Sequence, residues 1–228
     1  MKQAVKRIVF GSPRPRRLPL GLARGIRMHI DFATQTHHYF GLYEAELNRH
    51  LRPILRRGVR SFDIGVQHGY DSLLIAQRTG APVAAFERDE ACFEEMERNF
   101  ALNPQLEPLI RPVHGTVGNG EGEIGLDQWA YHDGFVPDFI KLDIECGELS
   151  ALRSAERLLE ARKPSLVIEV HTLELERECG RLLTRHGYRP AIVNPRRLLP
   201  DHRPDAHNRW LIAVGDVPGN APGDPNSS

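Results

Sequence analysis

Cysteine is scarce. Three of 228 residues are Cys (Cys92, Cys146 and Cys179), and no two form a C-x-x-C pair. That excludes a disulfide framework and a cysteine zinc site, and it fits a reducing, cytoplasmic setting. Net charge is also missing, since 30 Lys+Arg offset 30 Asp+Glu. A general nucleic-acid coat, which needs a basic excess to neutralise phosphates, is therefore not expected. No apolar run approaches the roughly 20 residues of a membrane span. Near the start, Arg and Pro interrupt every apolar stretch, so no secretory signal is expected. What is present is the composition of a folded domain, 40% hydrophobic and 26% charged.

The charge is unevenly spread. Residues 1–30 hold eight Lys/Arg and no acid, leaving 22 basic against 30 acidic residues in the remainder. The start reads as a solvated, loosely packed basic arm or cap over residues 1–40, since charge runs usually mark solvated faces. Two short apolar runs, Arg7–Phe10 and Ile26–Phe32, are expected to pair as a small hairpin. Residues 42–56 place Leu47, Leu51, Ile54 and Leu55 on one helical face, with Pro53 weakening or ending the helix. The end, 216–228 (DVPGNAPGDPNSS), is rich in Pro, Gly, Asn and Ser and is expected to be disordered.

Between these lies an alternation of short apolar runs and helical stretches, the signature of β-α units on a mainly parallel sheet. Strands are expected at 59–64, 83–86, 109–114, 139–143, 166–170, 188–193 and 210–214. Helices follow near 70–78, from Asp89 with Phe93, Met96 and Phe100 on one side, along Leu149 to Leu159, and along Leu175 to His186. A glycine-rich loop spans 115–125. The final connection, Asn194 to Asn208, holds three prolines and no helical period. A link without a helix joins antiparallel neighbours, so the last strand should fold back.

One segment carries the most chemistry: Phe62-Asp63-Ile64-Gly65-Val66-Gln67-His68-Gly69-Tyr70. It reads as a strand, a glycine-bearing turn and a helix start, where free backbone N–H groups can meet a ligand. Glu87 ends the next strand, 22 residues after Gly65, the spacing at which an acid takes ribose hydroxyls in nucleotide-binding βαβ units. The G-x-G-x-x-G dinucleotide fingerprint is absent, so a pyrophosphate has no cradle. Asp63 suits a cation better than a phosphate. This favours S-adenosylmethionine (SAM), with its ammonium, sulfonium and ribose, over NAD. Gln67, His68 and Arg88 flank the same turns, and His68 would approach the methionine end; His68 as an exposed loop residue stands equally open.

At this point the chain resembles the FkbM-type SAM-dependent methyltransferases. The resemblance runs from about Gly41 to Val214 and rests on FDIGVQHGY (62–70), AAFERD (84–89), FIKLDIECGE (139–148), PSLVIEVH (164–171) and HGY (186–188). It implies a class I SAM-methyltransferase fold over 41–215: a Rossmann-like, seven-stranded mixed sheet, strand seven antiparallel, helices on both faces, with a short N-terminal extension. Carried over by position, Asp63, Gly65 and Gly69 match the first SAM motif, Glu87 the ribose acid, and Lys141, Asp143, Glu145 and Glu148 the signature block. The chain departs at Val66-Gln67 (usually Ala-Asn), Arg88 (usually Pro) and Cys146-Gly147 (usually Gly-Ala). The resemblance implies O-methylation of a sugar or secondary-metabolite hydroxyl. The departures keep a second reading open, a catalytically inactive scaffold on the same fold; a nucleotide-dependent oxidoreductase is disfavoured by the missing glycine.

Methyl transfer to a hydroxyl needs alignment and removal of a proton. Lys141, Asp143 and Glu145 alternate along the fourth strand and share a face if it stays extended; Glu169 and His171 do so on the fifth. Asp143 is the first candidate to border cofactor and acceptor. His171 is the first candidate for general base, since imidazole titrates near neutrality; a packing or helix-capping histidine is the equal alternative. Lys141 reads best as neutralising the carboxylates. Asp143, Glu145, Glu169 and His171 also offer ligands to a divalent metal, yet strand-end carboxylates more often cap helices or touch cofactor, so no metal is assigned. The expected partners are a small-molecule or glycan acceptor, without nucleic acid or membrane span; a block like [D/N]-P-P-[Y/F] for base methylation is absent. The oligomeric state, a homo-oligomer included, stays open.

Overall fold

The computed structural model describes residues 12–196 and 207–215. Its centre is a seven-stranded sheet of β3 (Ser61–Ile64), β4 (Val83–Glu87), β5 (Ile110–His114), β6 (Phe139–Leu142), β7 (Ser165–Val170), β8 (Ala191–Val193) and β9 (Arg209–Ala213). The spatial order is β5-β4-β3-β6-β7-β9-β8. Pairing is parallel from β5 through to β7, and β9 runs antiparallel to both β7 and β8. The reversed last strand expected from its helix-free connection is therefore present. The interior strands are buried on both faces, as parallel sheets covered by helices require.

The pleat sends alternate residues into two apolar layers. Phe62, Ile64, Ile140, Leu142, Leu166 and Ile168 join the layer built with helices α5 (Leu126–His132), α6 (Glu148–Arg153), α7 (Glu156–Ala161) and α8 (Leu173–Arg185). Ala85, Phe139 and Val167 join the other, with α3 (Tyr70–Thr79) and α4 (Glu90–Ala101). Trp129 packs among Phe62, Phe86 and Phe135, and Trp210 is fully buried. Helix α5 was not expected, because the glycine-rich loop before it masks its short apolar period.

The N-terminal segment departs from a loosely packed arm. Leu18, Ala23, Ile26, Met28, Ile30 and Phe32 are buried in the same layer as α3 and α4. Strand β1 (Arg14–Arg17) pairs antiparallel with β2 (Arg27–Ile30); the run Arg7–Phe10 lies outside the described residues, as does the tail 216–228. Arg14, Arg17, Arg24 and Arg27 stay at the surface, Arg16 lies half-buried over the Phe32 ring, and the apolar residues between them dock. Asn99 of α4 and Asn103 just beyond its end hold β2 in place. Asn103 accepts from Arg27 N–H at 2.9 Å and donates to Arg27 C=O at 2.8 Å; Asn99 accepts from His29 N–H at 2.8 Å. A short helix α1 (Thr36–Tyr39), a 3₁₀ turn (Ala45–Leu47) and α2 (Asn48–Ile54) lead to β3, α2 ending one residue after Pro53. Among the described residues no helix is long and apolar enough to cross a membrane.

Beneath the carboxyl end of the sheet lies a buried ionic cluster. Register pairs Asp63 with Lys141, which puts both on the face covered by α3. Lys141 Nζ lies 3.0 Å from Asp71, 3.5 Å from Asp143 and 3.7 Å from Glu44. Asp63 accepts from the Ser72 hydroxyl at 2.5 Å. Burial raises the Asp63 carboxyl to about 6 and the Asp71 carboxyl to about 7, against the opposing pull of Lys141. The Lys141 ammonium is held well above its ordinary value by Asp71, Glu44 and Asp143, which outweigh its burial.

Two predictions follow from this framework. Asn103→Ala leaves the Arg27 peptide without its buried partners and should cost about 1–3 kcal/mol in urea unfolding, with faster amide exchange confined to β1–β2. The second concerns pH. Asp63 and Asp71 bind protons more tightly folded than unfolded, so their contribution to stability is fully present below about pH 4 and is lost as pH rises through about 6 to 7. Asp63→Asn removes one such group and keeps an acceptor for Ser72. Its melting temperature relative to the wild type should therefore rise between about pH 4.5 and 7.5; a constant difference would refute the assignment.

Candidate active site

The carboxyl ends of β3, β4, β6 and β7 open into a cavity of about 730 Å³, within the range of small-molecule sites. It lies where the strand order reverses between β3 and β6, the position at which open α/β sheets take ligands. The turn after β3 supplies Gly65 and Gln67 to its wall. Gly65 has φ +84°, and a Cβ there would collide with the Asp143 carbonyl oxygen. The glycine thus lets the turn lie directly against the end of β6.

Glu87, at the end of β4, lines the cavity and is 6% exposed. Its carboxylate accepts from Gln67 N–H and from Asp89 N–H, each at 2.8 Å. Two backbone donors from separate turns therefore set its orientation. Each carboxylate oxygen has a further lone pair for a ligand hydroxyl. Arg88 lines the cavity beside it and is exposed. Cys92, in the first turn of α4, also reaches the cavity; its thiol is pushed up to about 11, first by burial and then by Glu87.

Three residues named from the turn motif are placed elsewhere. Asp63 lies one pleat below the opening, 1% exposed, bound to Ser72 rather than lining the cavity. The expected grip on a cationic ligand is therefore not Asp63's. Gly69 precedes α3 at φ +84° and packs against α4, where an added Cβ would come within 2.6 Å of the Phe100 ring. Its role is helix packing. His68 turns outward to Glu95, 3.3 Å away, and is absent from the cavity wall.

On the opposite wall stand Asp143, Glu145, Glu169 and His171. His171 Nδ1 bonds at 2.5 Å to Glu148, which is fully buried in the first turn of α6. Nε2 faces Asp143 at 3.9 Å and Glu169 at 3.8 Å. Glu169 accepts from the Trp210 indole N–H at 3.2 Å. Lys141 sits behind Asp143 and does not reach the cavity, in keeping with a neutralising role. Glu145 does not extend the β6 alternation. The strand ends at Leu142, and Cys146 adopts φ +63°, so Glu145 is exposed at the rim. The group able to share one ligand point is Asp143, Glu169 and His171, without Glu145.

Sequence reasoning did not find several wall residues. Tyr43 comes from the segment between α1 and the 3₁₀ turn, stacked on His38 with ring centroids 3.9 Å apart. Asn208 comes from just before β9, and Thr116, Glu123 and Ser150 from the glycine-rich loop and α6. None belongs to a spaced motif. The cavity wall carries the acids Glu87, Asp89, Glu123, Asp143, Glu145 and Glu169 against Arg88 and the imidazole of His171. Its potential favours cations.

Several solved structures share this architecture. A precorrin-6y C5,15-methyltransferase from Geobacter metallireducens GS-15 superposes with TM-score 0.53 at 16% identity, covering 75% of this chain and 86% of that one. A fibrillarin from Aeropyrum pernix with natively bound SAM gives TM-score 0.50 at 14% identity, over 71% and 68% of the two chains. The methyltransferase FkbM from Methylobacillus flagellatus KT gives TM-score 0.54 at 20% identity, over 68% of this chain but only 43% of that one. No curated protein sequence matches the chain. Residues 126–203 match the family model described as the Methyltransferase FkbM domain. The molecule thus has the class I methyltransferase fold, and its stretch from residue 126 to 203 is similar to the Methyltransferase FkbM domain.

Proposed function

We propose that the protein is a SAM-dependent O-methyltransferase acting on a hydroxyl of a small molecule or glycan. The observation that carries this reading is Glu87, held by two backbone N–H groups at the wall of an acid-lined cavity at the sheet's switch point. A buried carboxylate so oriented suits a ribose diol. The surrounding acids suit a ligand with an ammonium and a sulfonium, and they would repel the pyrophosphate of a dinucleotide. The fibrillarin neighbour's bound SAM agrees with this choice.

When bound, SAM supplies a methyl whose bond to sulfur breaks as a bond to the acceptor oxygen forms, the electron pair staying on sulfur and the hydroxyl proton leaving. Gly65, Gln67, Glu87 and Arg88 would hold the adenosine side. Asp143 borders both ligands, since its backbone touches the Gly65 turn and its carboxylate faces His171. Tyr43 and Asn208 close the acceptor side. Such positioning can supply about 7–11 kcal/mol of the barrier. The acceptor proton must leave at the wall of Asp143, Glu169 and His171, the titratable groups gathered there.

Calorimetry with S-adenosylhomocysteine tests the reading. Wild-type protein should bind one equivalent, and Glu87→Gln should weaken binding about 10- to 100-fold, the worth of a charge-assisted hydrogen bond. NAD should not bind. No binding of S-adenosylhomocysteine at millimolar concentration would leave the scaffold reading in its place.

A further inference from the structure

In the turn after β3, Gln67 takes φ +50°, a left-handed conformation that a residue with a Cβ keeps only where its surroundings hold it. This turn carries Gly65 and Gln67 to the cavity wall, so whatever holds the turn also shapes the wall. From the cavity side the hold is Glu87, which accepts the Gln67 N–H at 2.8 Å. The next residue is held from the opposite side, where the His68 carbonyl accepts from Asn99 Nδ2 at 2.8 Å. Within the turn, Gly69 N–H donates to the Val66 carbonyl at 3.0 Å.

Asn99 lies near the C-terminal end of α4, is fully buried, and has one possible orientation. Its Oδ1 accepts the His29 N–H at 2.8 Å and lies 3.1 Å from His29 Nδ1. A backbone N–H only donates, so the oxygen must face β2 and the amino group must face the His68 carbonyl. A carboxylate of the same shape would supply no donor, and an aliphatic side chain neither function. The helix presents the matching stripe. Glu95, one turn before Asn99, reaches His68 Nδ1 at 3.3 Å, and Met96 and Phe100 stand against Gly69. The turn thus rests on α4, and Asn99 reaches past it to the hairpin.

We infer that Asn99 is a positioning residue for the cofactor turn, and that through it ligand binding in the cavity and docking of the β1–β2 hairpin support one another. Asn99 is absent from the cavity wall and acts through the peptides of His68 and Gln67. The identity of the ligand rests on the methyl-transfer reading; the hold of Asn99 on the turn does not. Such coupling is reciprocal. A ligand that steadies the turn also tightens β2 on Asn99, and a change at Asn99 that frees the turn weakens the ligand. Among the described residues the hairpin gives the cavity no wall residue, so this amide is how it bears on the site.

The test uses the full chain, with S-adenosylhomocysteine as the probe in calorimetry and amide exchange as a readout without ligand. Asn99→Asp keeps the acceptor for His29 and removes the donor to His68. Near neutral to alkaline pH it should bind the probe about tenfold more weakly than wild type. As the pH is lowered, the introduced carboxyl takes a proton and can donate again, so the ratio to wild type should narrow to less than about threefold. Asn103→Ala loosens the hairpin without touching the turn, and its affinity should stay within about twofold of wild type. Without ligand, the Gln67 amide should exchange at least about tenfold faster in Asn99→Asp and within about twofold of wild type in Asn103→Ala. On wild-type protein, which needs no variant to fold, the probe should slow exchange of the His29 amide at least about threefold more than that of the Arg27 amide held by Asn103. Full affinity in Asn99→Asp, an equal loss in Asn103→Ala, no recovery at low pH, or equal slowing of His29 and Arg27 overturns the inference and leaves the methyl-transfer reading intact. Wild-type protein that binds no probe sinks that reading, and the Gln67 exchange comparison then decides whether Asn99 holds the turn.

Discussion

Lys141 is one buried ammonium facing carboxylates from three separate parts of the chain. Glu44 comes from the segment just before the 3₁₀ turn that follows the N-terminal cap, Asp71 from the first turn of α3 and Asp143 from the end of its own strand. Asp63 stands beside it in register on β3. Burying charge is costly unless it is paired, and removing one partner from such a cluster typically costs 3–5 kcal/mol. The pairing therefore obliges the cap, the first helix of the βαβ unit and the end of β6 to meet. That obligation explains why the N-terminal segment docks in spite of its basic surface. Its apolar residues provide the burial, and Glu44 provides a polar reason for one particular seating.

From that cluster the constraint passes upward to the cavity by backbone contacts. The Gly65 turn rests against the Asp143 carbonyl, and the next residues of the turn are tied to Glu87 through the Gln67 amide. Glu87 in turn accepts from Asp89, whose own carboxylate caps α4 through Cys92 N–H at 2.9 Å. The ends of β3, β4 and β6 are also joined directly by backbone, Gly65 N–H donating to Phe86 C=O and Asp143 N–H to Ile64 C=O, each at 2.9 Å. Proximity catalysis depends on this kind of rigidity, since a small displacement of either reactant forfeits much of the alignment.

Much of the fold was legible because buried parallel strands are nearly continuous apolar runs, and the chain punctuates them with Gly, Pro and charges. The reversed β9 could be read from a connection rich in proline with no helical period. The candidate site was only half legible, for a geometric reason. A linear motif does not say where the strand stops, and β3 ends at Ile64, between the two residues of interest. Asp63 and Gly65 are two residues apart, yet one lies under α3 and the other lies open to the cavity. His68 and Gly69 sit in the same motif but serve the contact with α4. Glu145 fails for a related reason: extended alternation ends at Leu142, and the left-handed Cys146 turns the chain away. Tyr43 and Asn208 carried no signal at all, because distant segments bring them to the wall.

The cavity divides by charge in a way that follows from the strand ends. On the β4 side, Glu87 is engaged by two amides and offers acceptors to neutral hydroxyls. On the β6 and β7 side, Asp143 and Glu169 face the His171 imidazole, whose outer nitrogen is taken by Glu148, and Glu169 also accepts from the Trp210 indole N–H. A donor with a neutral ribose at one end and positive charge at the other meets oriented hydroxyl acceptors at Glu87 and carboxylates at Asp143 and Glu169, which suits the sugar toward β4 and the sulfonium toward β6.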